Sequence, residues 1–146
     1  MGWRPRCHAL QPFDMTFIDT SAWVEFLRDT GSPVCDLVDE LLAYEIAISD
    51  AVRMEILAGA RDESQLASLR RLLARATLIP TQTTDYYDAS SLYRRCRRQG
   101  ETVRKLIDCL IAAVAIRSGL AVLHSDSDFD VLARHTELQI YPLQSD

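Results

Sequence analysis

Four carboxylates stand where carboxylates are costly. Asp19 ends the apolar run Met15-Thr16-Phe17-Ile18. Glu55 lies in Ala51-Val52-Arg53-Met54-Glu55-Ile56-Leu57-Ala58-Gly59. Asp108 interrupts the apolar segment from Val103 to Ile116, and Asp126 follows Leu120-Ala121-Val122-Leu123-His124. An unpaired charge at the edge of an apolar element, or inside one, costs several kcal/mol. A shared counter-ion removes that cost for all four acids at once. Mg²⁺ and Mn²⁺ are hard cations that prefer oxygen ligands, so a divalent ion is the simplest such partner. Held by carboxylates, the ion would polarise a phosphoryl oxygen and lower the pKa of a bound water. Each acid taken alone also has a plain structural reading. Asp19 can cap a helix, and Glu55 can face solvent. Asp126 and Asp128 can cap a short helix, and Asp108 can pair with Arg104 four residues earlier.

The elements that must bring the acids together are legible as alternating patterns. Short β-branched or aliphatic runs predict strands over 15–18, 45–48, 77–80, 120–124 and 138–141. Helices are expected between them. One runs from Thr20 or Ser21 to about Arg28. A second follows the Ser32-Pro33 cap to about Tyr44, and a third runs from Ser49 or Asp50 to Gly59. The fourth spans Asp62 to Ala74. The fifth spans Thr84 to Gln99, with Tyr86, Ala89, Leu92, Tyr93 and Cys96 on one face and Gly100 as its stop. The sixth, Thr102 to Ser118, carries Asp108, and the seventh runs from Ser125 to Ala133. Alternation of this kind implies a mainly parallel sheet covered by helices on both faces. Right-handed crossovers then set the acids on one rim. Asp19 and Asp126 follow strands, Glu55 sits on a helix leaving the same edge, and the Asp108 helix begins there. That rim is the usual ligand side of an open α/β sheet.

Composition is compatible with this picture. A chain of 146 residues that is 48% hydrophobic makes one domain with a real core. Four scattered cysteines, Cys7, Cys35, Cys96 and Cys109, form no CxxC pair and fit a reducing cytoplasm. No apolar stretch is long enough to span a membrane. Residues 1–14 have no consistent period and no signal-peptide core, and Met15 directly precedes the first strand. They are expected to be a dispensable leader, with 15–146 forming the domain.

The motif set resembles a known family. Ile18-Asp19-Thr20-Ser21-Ala22-Trp23-Val24-Glu25-Phe26-Leu27 is similar to the opening of PIN-domain proteins, specifically the VapC toxins of bacterial toxin–antitoxin pairs. Glu55-Ile56-Leu57-Ala58-Gly59, Asp108-Cys109-Leu110-Ile111-Ala112-Ala113 and His124-Ser125-Asp126-Ser127-Asp128-Phe129 resemble the second, third and fourth acidic motifs. The likeness runs from about Met15 to Tyr141. It implies a three-layer α/β/α sandwich with a central sheet of four to five strands and metal-dependent cleavage of RNA. It also implies growth arrest unless a cognate VapB-type antitoxin is bound, and a homodimer within the toxin–antitoxin complex. Asp128 is an extra acid whose role the pattern leaves open.

On this resemblance Asp19, Glu55, Asp108 and Asp126 are the expected catalytic residues. Asp19, Asp108 and Asp126 are the expected metal ligands, with Mg²⁺ as cofactor and Mn²⁺ as a substitute. Glu55 would orient or deprotonate the attacking water, or bind a second ion. In-line attack by water leaves a 5′-phosphate and a 3′-hydroxyl and needs no histidine pair. His8, His124 and His135 show no ligand spacing, which argues against zinc. The basic run Arg94-Arg95-Cys96-Arg97-Arg98 suits a helix C-terminus. It is also a candidate RNA-binding rim that Arg104 and Lys105 would extend, despite a net charge of −5. Trp23, Phe26 and Leu27 on the first helix are expected in the core, with a dimer or antitoxin groove as the alternative. Two other classes stay open: a structure-specific DNA nuclease and a noncatalytic nucleic-acid-binding module. A haloacid-dehalogenase-type phosphatase would need an Asp where Ser21 stands. A receiver domain would need paired acids at the first strand.

Overall fold

The computed structural model describes residues 15–143. The leader expected over residues 1–14 lies outside the described residues. The order of elements is β1 (Thr16–Ile18), α1 (Thr20–Leu27), α2 (Pro33–Leu41), β2 (Ile46–Ser49), α3 (Asp50–Ala58), α4 (Glu63–Leu73), β3 (Thr77–Ile79), α5 (Thr83–Arg98), α6 (Leu106–Ser118), β4 (Val122–Leu123) and α7 (Ser127–His135). The strands form one parallel sheet in the order β3-β2-β1-β4. Phe17, Ile18, Ile46, Ala47, Ile48, Val122 and Leu123 are all buried, as strands covered on both faces require. Helices on either side complete the α/β/α sandwich.

Strand β1 lies at the centre and pairs with β2 on one side and β4 on the other. The chain therefore reverses its direction of travel across the sheet at β1. Such a switch point opens a crevice beyond the carboxyl ends of the strands. Asp19 ends β1 beside this crevice, and its backbone N–H donates to Leu123 O at 3.0 Å. Trp23 is fully buried, and its indole Nε1 donates to Ile18 O at 3.2 Å. One aromatic side chain thus fixes α1 against the strand end from which Asp19 projects.

Local signals set the helix ends. Ser32 Oγ accepts from Cys35 N at 3.1 Å ahead of Pro33, and Asp62 Oδ1 accepts from Gln65 N at 2.7 Å. Gly119 closes α6 with φ of 68°, a left-handed conformation that glycine adopts without the steric cost of a Cβ. Cys35, Cys96 and Cys109 are free and buried, and burial pushes the Cys109 thiol up to about 12.

Three element expectations need correction. The fifth strand at 138–141 is reduced to one bridge, Val122↔Ile140, with Val122 N donating to Gln139 O and Tyr141 N to Val122 O. Beside β4, a strand of 2 residues, there is no longer ladder for it to join. Helix α6 starts at Leu106 instead of Thr102, because the backbone N–H groups of Arg104 and Lys105 turn to the Asp128 carboxylate. The face of α5 is also shifted. Ala89, Leu92 and Cys96 are buried as expected, but Tyr86 is exposed and Asp85 takes the inward position.

Asp85 is fully buried and bound on both oxygens by Arg117. Nε reaches Oδ1 and Nη2 reaches Oδ2, each at 2.9 Å, while Nη2 also donates to Pro80 O. Burial opposes the charge, but the guanidinium and the Gln82 N–H hold Asp85 below the usual carboxylate range. This pair joins the start of α5 to the end of α6. Asp85→Ala should therefore destabilise the protein by about 2–4 kcal/mol in denaturant unfolding, since it strands the guanidinium and removes the α5 cap. Cation binding at the opposite end of α6 should be unchanged.

Candidate functional site

The crevice beyond β1 and β4 collects all four expected acids, each delivered by a different local device. Asp19 is the N-cap of α1, and its Oδ2 accepts from Ser21 N at 2.9 Å and Ser21 Oγ at 2.6 Å. Ser21 Oγ in turn accepts from Ser125 N at 2.8 Å, so one hydroxyl ties the β1 and β4 loops together. Glu55, on α3, accepts from Thr20 Oγ1 at 2.7 Å through Oε1. Asp108 sits in the first turn of α6, and Asp126 caps α7 by accepting from Asp128 N at 3.0 Å. Asp19, Glu55 and Asp108 line one cavity together with Thr20, Ser21 and Lys105.

Asp128, whose role the motif pattern left open, is buried in the same cluster. Asp108, Asp126 and Asp128 each offer a carboxylate oxygen, and these atoms lie within 4.8 Å of one another. Asp128 already has many partners. Its Oδ1 accepts from Arg104 N at 3.2 Å and Arg104 Nε at 3.1 Å, and its Oδ2 accepts from Lys105 N at 3.1 Å. The alternative reading of Asp108 as a partner of Arg104 is overturned. Because residues 102–105 are not helical, Arg104 does not lie one turn before Asp108. Its guanidinium binds Asp128 and, through Nη2 at 2.9 Å, Asp126. Lys105 was expected to extend a basic rim. Its Nζ instead lies among the acids, 2.5 Å from Asp126 Oδ2 and 3.7 Å from Asp108 Oδ2.

Sequence patterns carried only weak signals for Ser21 and Thr20, as possible caps. They carried none for the Lys105 contact, which depends on how a loop crosses to α7. His124 is a further positioning group. Its Nδ1 accepts from Asp126 N at 3.1 Å, its Nε2 faces Asp130, and its ring packs on Phe129. Burial keeps its pKa below the ordinary histidine value.

The electrostatics separate the acids into two groups. Burial raises Asp19 to about 6, although its Ser21 hydrogen bonds oppose the shift. Burial, then the Asp19 charge, raises Asp108 to about 8. Asp126 and Asp128 lie below the usual range. Burial works against their charges, but Lys105 and the Asp128 N–H favour charged Asp126, and Arg104 and the Lys105 N–H favour charged Asp128. Asp108 is thus the acid of this trio whose pKa is raised, while Asp126 and Asp128 favour their charged forms. Asp19 Oδ1 and Asp108 Oδ2 are buried without a hydrogen-bond partner among the described residues. An all-oxygen donor set with two such atoms fits a hard divalent cation.

The candidate RNA-binding arginines lie elsewhere. Arg95 pairs with Glu137 at 3.0 Å, and Arg97 lies over the Tyr93 ring. Arg95 and Arg98 line a separate cavity with Arg134 and His135. Neither Arg94 nor Arg97 lines the acid cavity.

A group whose folded pKa is raised contributes stability that is full below its unfolded pKa and is lost as pH rises through the folded value. For Asp108 that window runs from its ordinary value of 3.8 to about 8. In EDTA, Asp108→Asn should therefore melt higher than wild type at pH 8, with the gap closing toward pH 4. Paired thermal melts across pH measure this, and a lower Tm for Asp108→Asn at pH 8 would contradict the assignment.

Comparison with known proteins agrees with this fold. The PIN domain pattern matches residues 16–135. The chain is 48% identical over 129 residues to Ribonuclease VapC11 of Mycobacterium tuberculosis, covering 86% of this chain and 96% of that protein. It is 31% identical over 128 residues to Ribonuclease VapC18 of the same organism, covering 82% of this chain and 88% of that protein. VapBC2 from Rickettsia felis, solved bound to a DNA fragment from its promoter, has the same fold with a TM-score of 0.69 at 20% identity. That match covers 86% of this chain and 96% of that one. A parallel sheet that gathers carboxylates at its switch point, in a chain this close to named ribonucleases, belongs to the PIN-domain family, among its VapC ribonucleases.

Proposed function

We propose that this chain is a metal-dependent endoribonuclease, the toxin of a cytoplasmic toxin–antitoxin pair, restrained by a VapB-type antitoxin. The convergence of Asp19, Glu55 and Asp108 on one cavity, with Asp126 beside it, carries the reading. The 48% identity to a VapC ribonuclease supports RNA as the substrate. Asp19, Asp108 and Asp126 would hold Mg²⁺, with Mn²⁺ as a substitute. When bound, the ion supplies a polarised phosphoryl oxygen and a more acidic water. Ser21 holds Asp19 in place, and His124 and Arg104 do the same for Asp126. Thr20 occupies Glu55 Oε1, which leaves Oε2 to take a proton from the attacking water.

Endonuclease activity on single-stranded RNA should need Mg²⁺ or Mn²⁺ and vanish in EDTA. Asp19→Asn and Asp108→Asn should each keep the fold by circular dichroism and lose at least about 100-fold in rate, as removal of a group that stabilises transition-state charge does. Full cleavage by either variant would reject its assignment.

A groove alongside the cleft supports the antitoxin reading. Leu27, Ile56 and Leu69 give it an apolar floor, Arg28 and Arg61 edge it, and Thr20, Val24 and Glu55 line both groove and cleft. A disordered segment that folds into such a groove would bring a basic side chain to the acids. Co-expression with the cognate antitoxin should restore growth and yield a complex that survives gel filtration. Continued arrest with no complex would count against the toxin reading.

A further inference from the structure

Of the 16 cationic side chains in this sequence, counting Lys and Arg together, only Lys105 is a lysine. Its ammonium enters the acid cluster, 2.5 Å from Asp126 Oδ2 and 3.7 Å from Asp108 Oδ2. The residue type matters here. An ammonium is a compact point charge, whereas a guanidinium is a broad planar fork suited to two oxygens of one carboxylate. The nearby Arg104 shows the contrast, since it spans the outside of the cluster from Asp128 to Asp126 and stays mostly exposed.

The placement of Lys105 is built into the loop. Asp128 accepts from the backbone N–H of both Arg104 and Lys105, which pins the chain just before α6 begins. From that anchor the lysine stem reaches Asp126 and approaches Asp108 Oδ2, an oxygen buried without a hydrogen-bond partner among the described residues. Asp108 and Asp126 are two of the three acids expected to hold the metal.

We propose that Lys105 is a tethered monovalent competitor for the divalent-cation site. Its ammonium holds Asp126 and faces Asp108 until a metal ion displaces it. This inference rests on the reading of the cleft as a metal site. The tether gives the ammonium a high effective concentration at these two carboxylates, so a metal ion must outcompete it to enter. Lys105 would then set the metal concentration at which the enzyme loads. It would also offset part of the negative charge of the metal-free cleft.

Titration calorimetry with Mn²⁺ alone, without RNA, tests this on the full chain. Lys105→Met and Lys105→Gln should each bind Mn²⁺ about fivefold or more tightly than wild type, the scale of an ordinary coupling between two ligands. Arg98→Met, which removes an exposed charge from the end of α5, should change affinity by less than about twofold. A second readout uses the wild-type protein. As the only lysine, Lys105 supplies the only ε-amine, and peptide mapping distinguishes it from the N-terminal amine. An acylating reagent should label Lys105 slowly in EDTA and faster at saturating Mn²⁺. Equal or weaker Mn²⁺ affinity in both Lys105 variants, or a labelling rate that metal leaves unchanged, would overturn the competitor role while leaving the metal site standing. Absence of Mn²⁺ binding by wild type and both variants would overturn the site and the competitor together.

Discussion

Everything at the functional end of this molecule answers one constraint: five carboxylates crowd a crevice that provides too few partners for them. Asp19 and Asp108 are buried with one oxygen each left unbonded, and Asp126 and Asp128 lie beside them with Glu55 at the edge. Such a cluster cannot ionise fully without a cation. The protein meets the deficit with a raised pKa at Asp108, an ammonium at Asp126 and a guanidinium across Asp128. The rest of the frame keeps these groups from relaxing apart. Trp23 fastens α1 to β1, Ser21 joins the loops after β1 and β4, and His124 and Asp128 fix the start of α7 and the strap before α6.

The two ends of α6 show how environment assigns different work to one residue type. Asp85 and Asp108 are both buried, yet the pKa of Asp85 is lowered where that of Asp108 is raised. The difference lies in completeness of pairing. Arg117 occupies both oxygens of Asp85, so burial strengthens a finished interaction. Asp108 faces like charges and keeps an unbonded oxygen, so burial makes its ionised form costly. A finished pair holds the fold together. An unfinished one leaves free energy that an incoming cation can release, which is the arrangement a catalytic centre needs and a core does not.

The same distinction explains what could be read from the chain. The four acids were visible because each interrupts or ends an apolar run, and the strand–helix alternation was enough to place them on one rim. Lys105 and Arg104 were misplaced because their roles depend on a single tertiary event, the capture of two backbone N–H groups by Asp128. Helical periodicity set Arg104 one turn before Asp108, and that event removes residues 102–105 from the helix. Asp85 was overlooked for a related reason: a charged side chain on a polar helix looks solvated until its partner, 32 residues later, comes into view. The fifth strand failed because β4 is only 2 residues long and leaves room for a single bridge.

Catalysis and restraint draw on the same unmet charge. A divalent ion, the Lys105 ammonium and a basic side chain from the proposed antitoxin would all answer the deficit around Asp108 and Asp126. Any one of them makes the cluster less attractive to the others. Glu55 and Thr20 line both the cleft and the neighbouring groove, so a segment lying in the groove would meet the clustered acids without rearranging the sheet. An inhibitor of this enzyme therefore needs no separate allosteric site. It needs apolar contact along α1 and α3 for affinity and one cation at the rim, and the repulsion among the acids favours its binding.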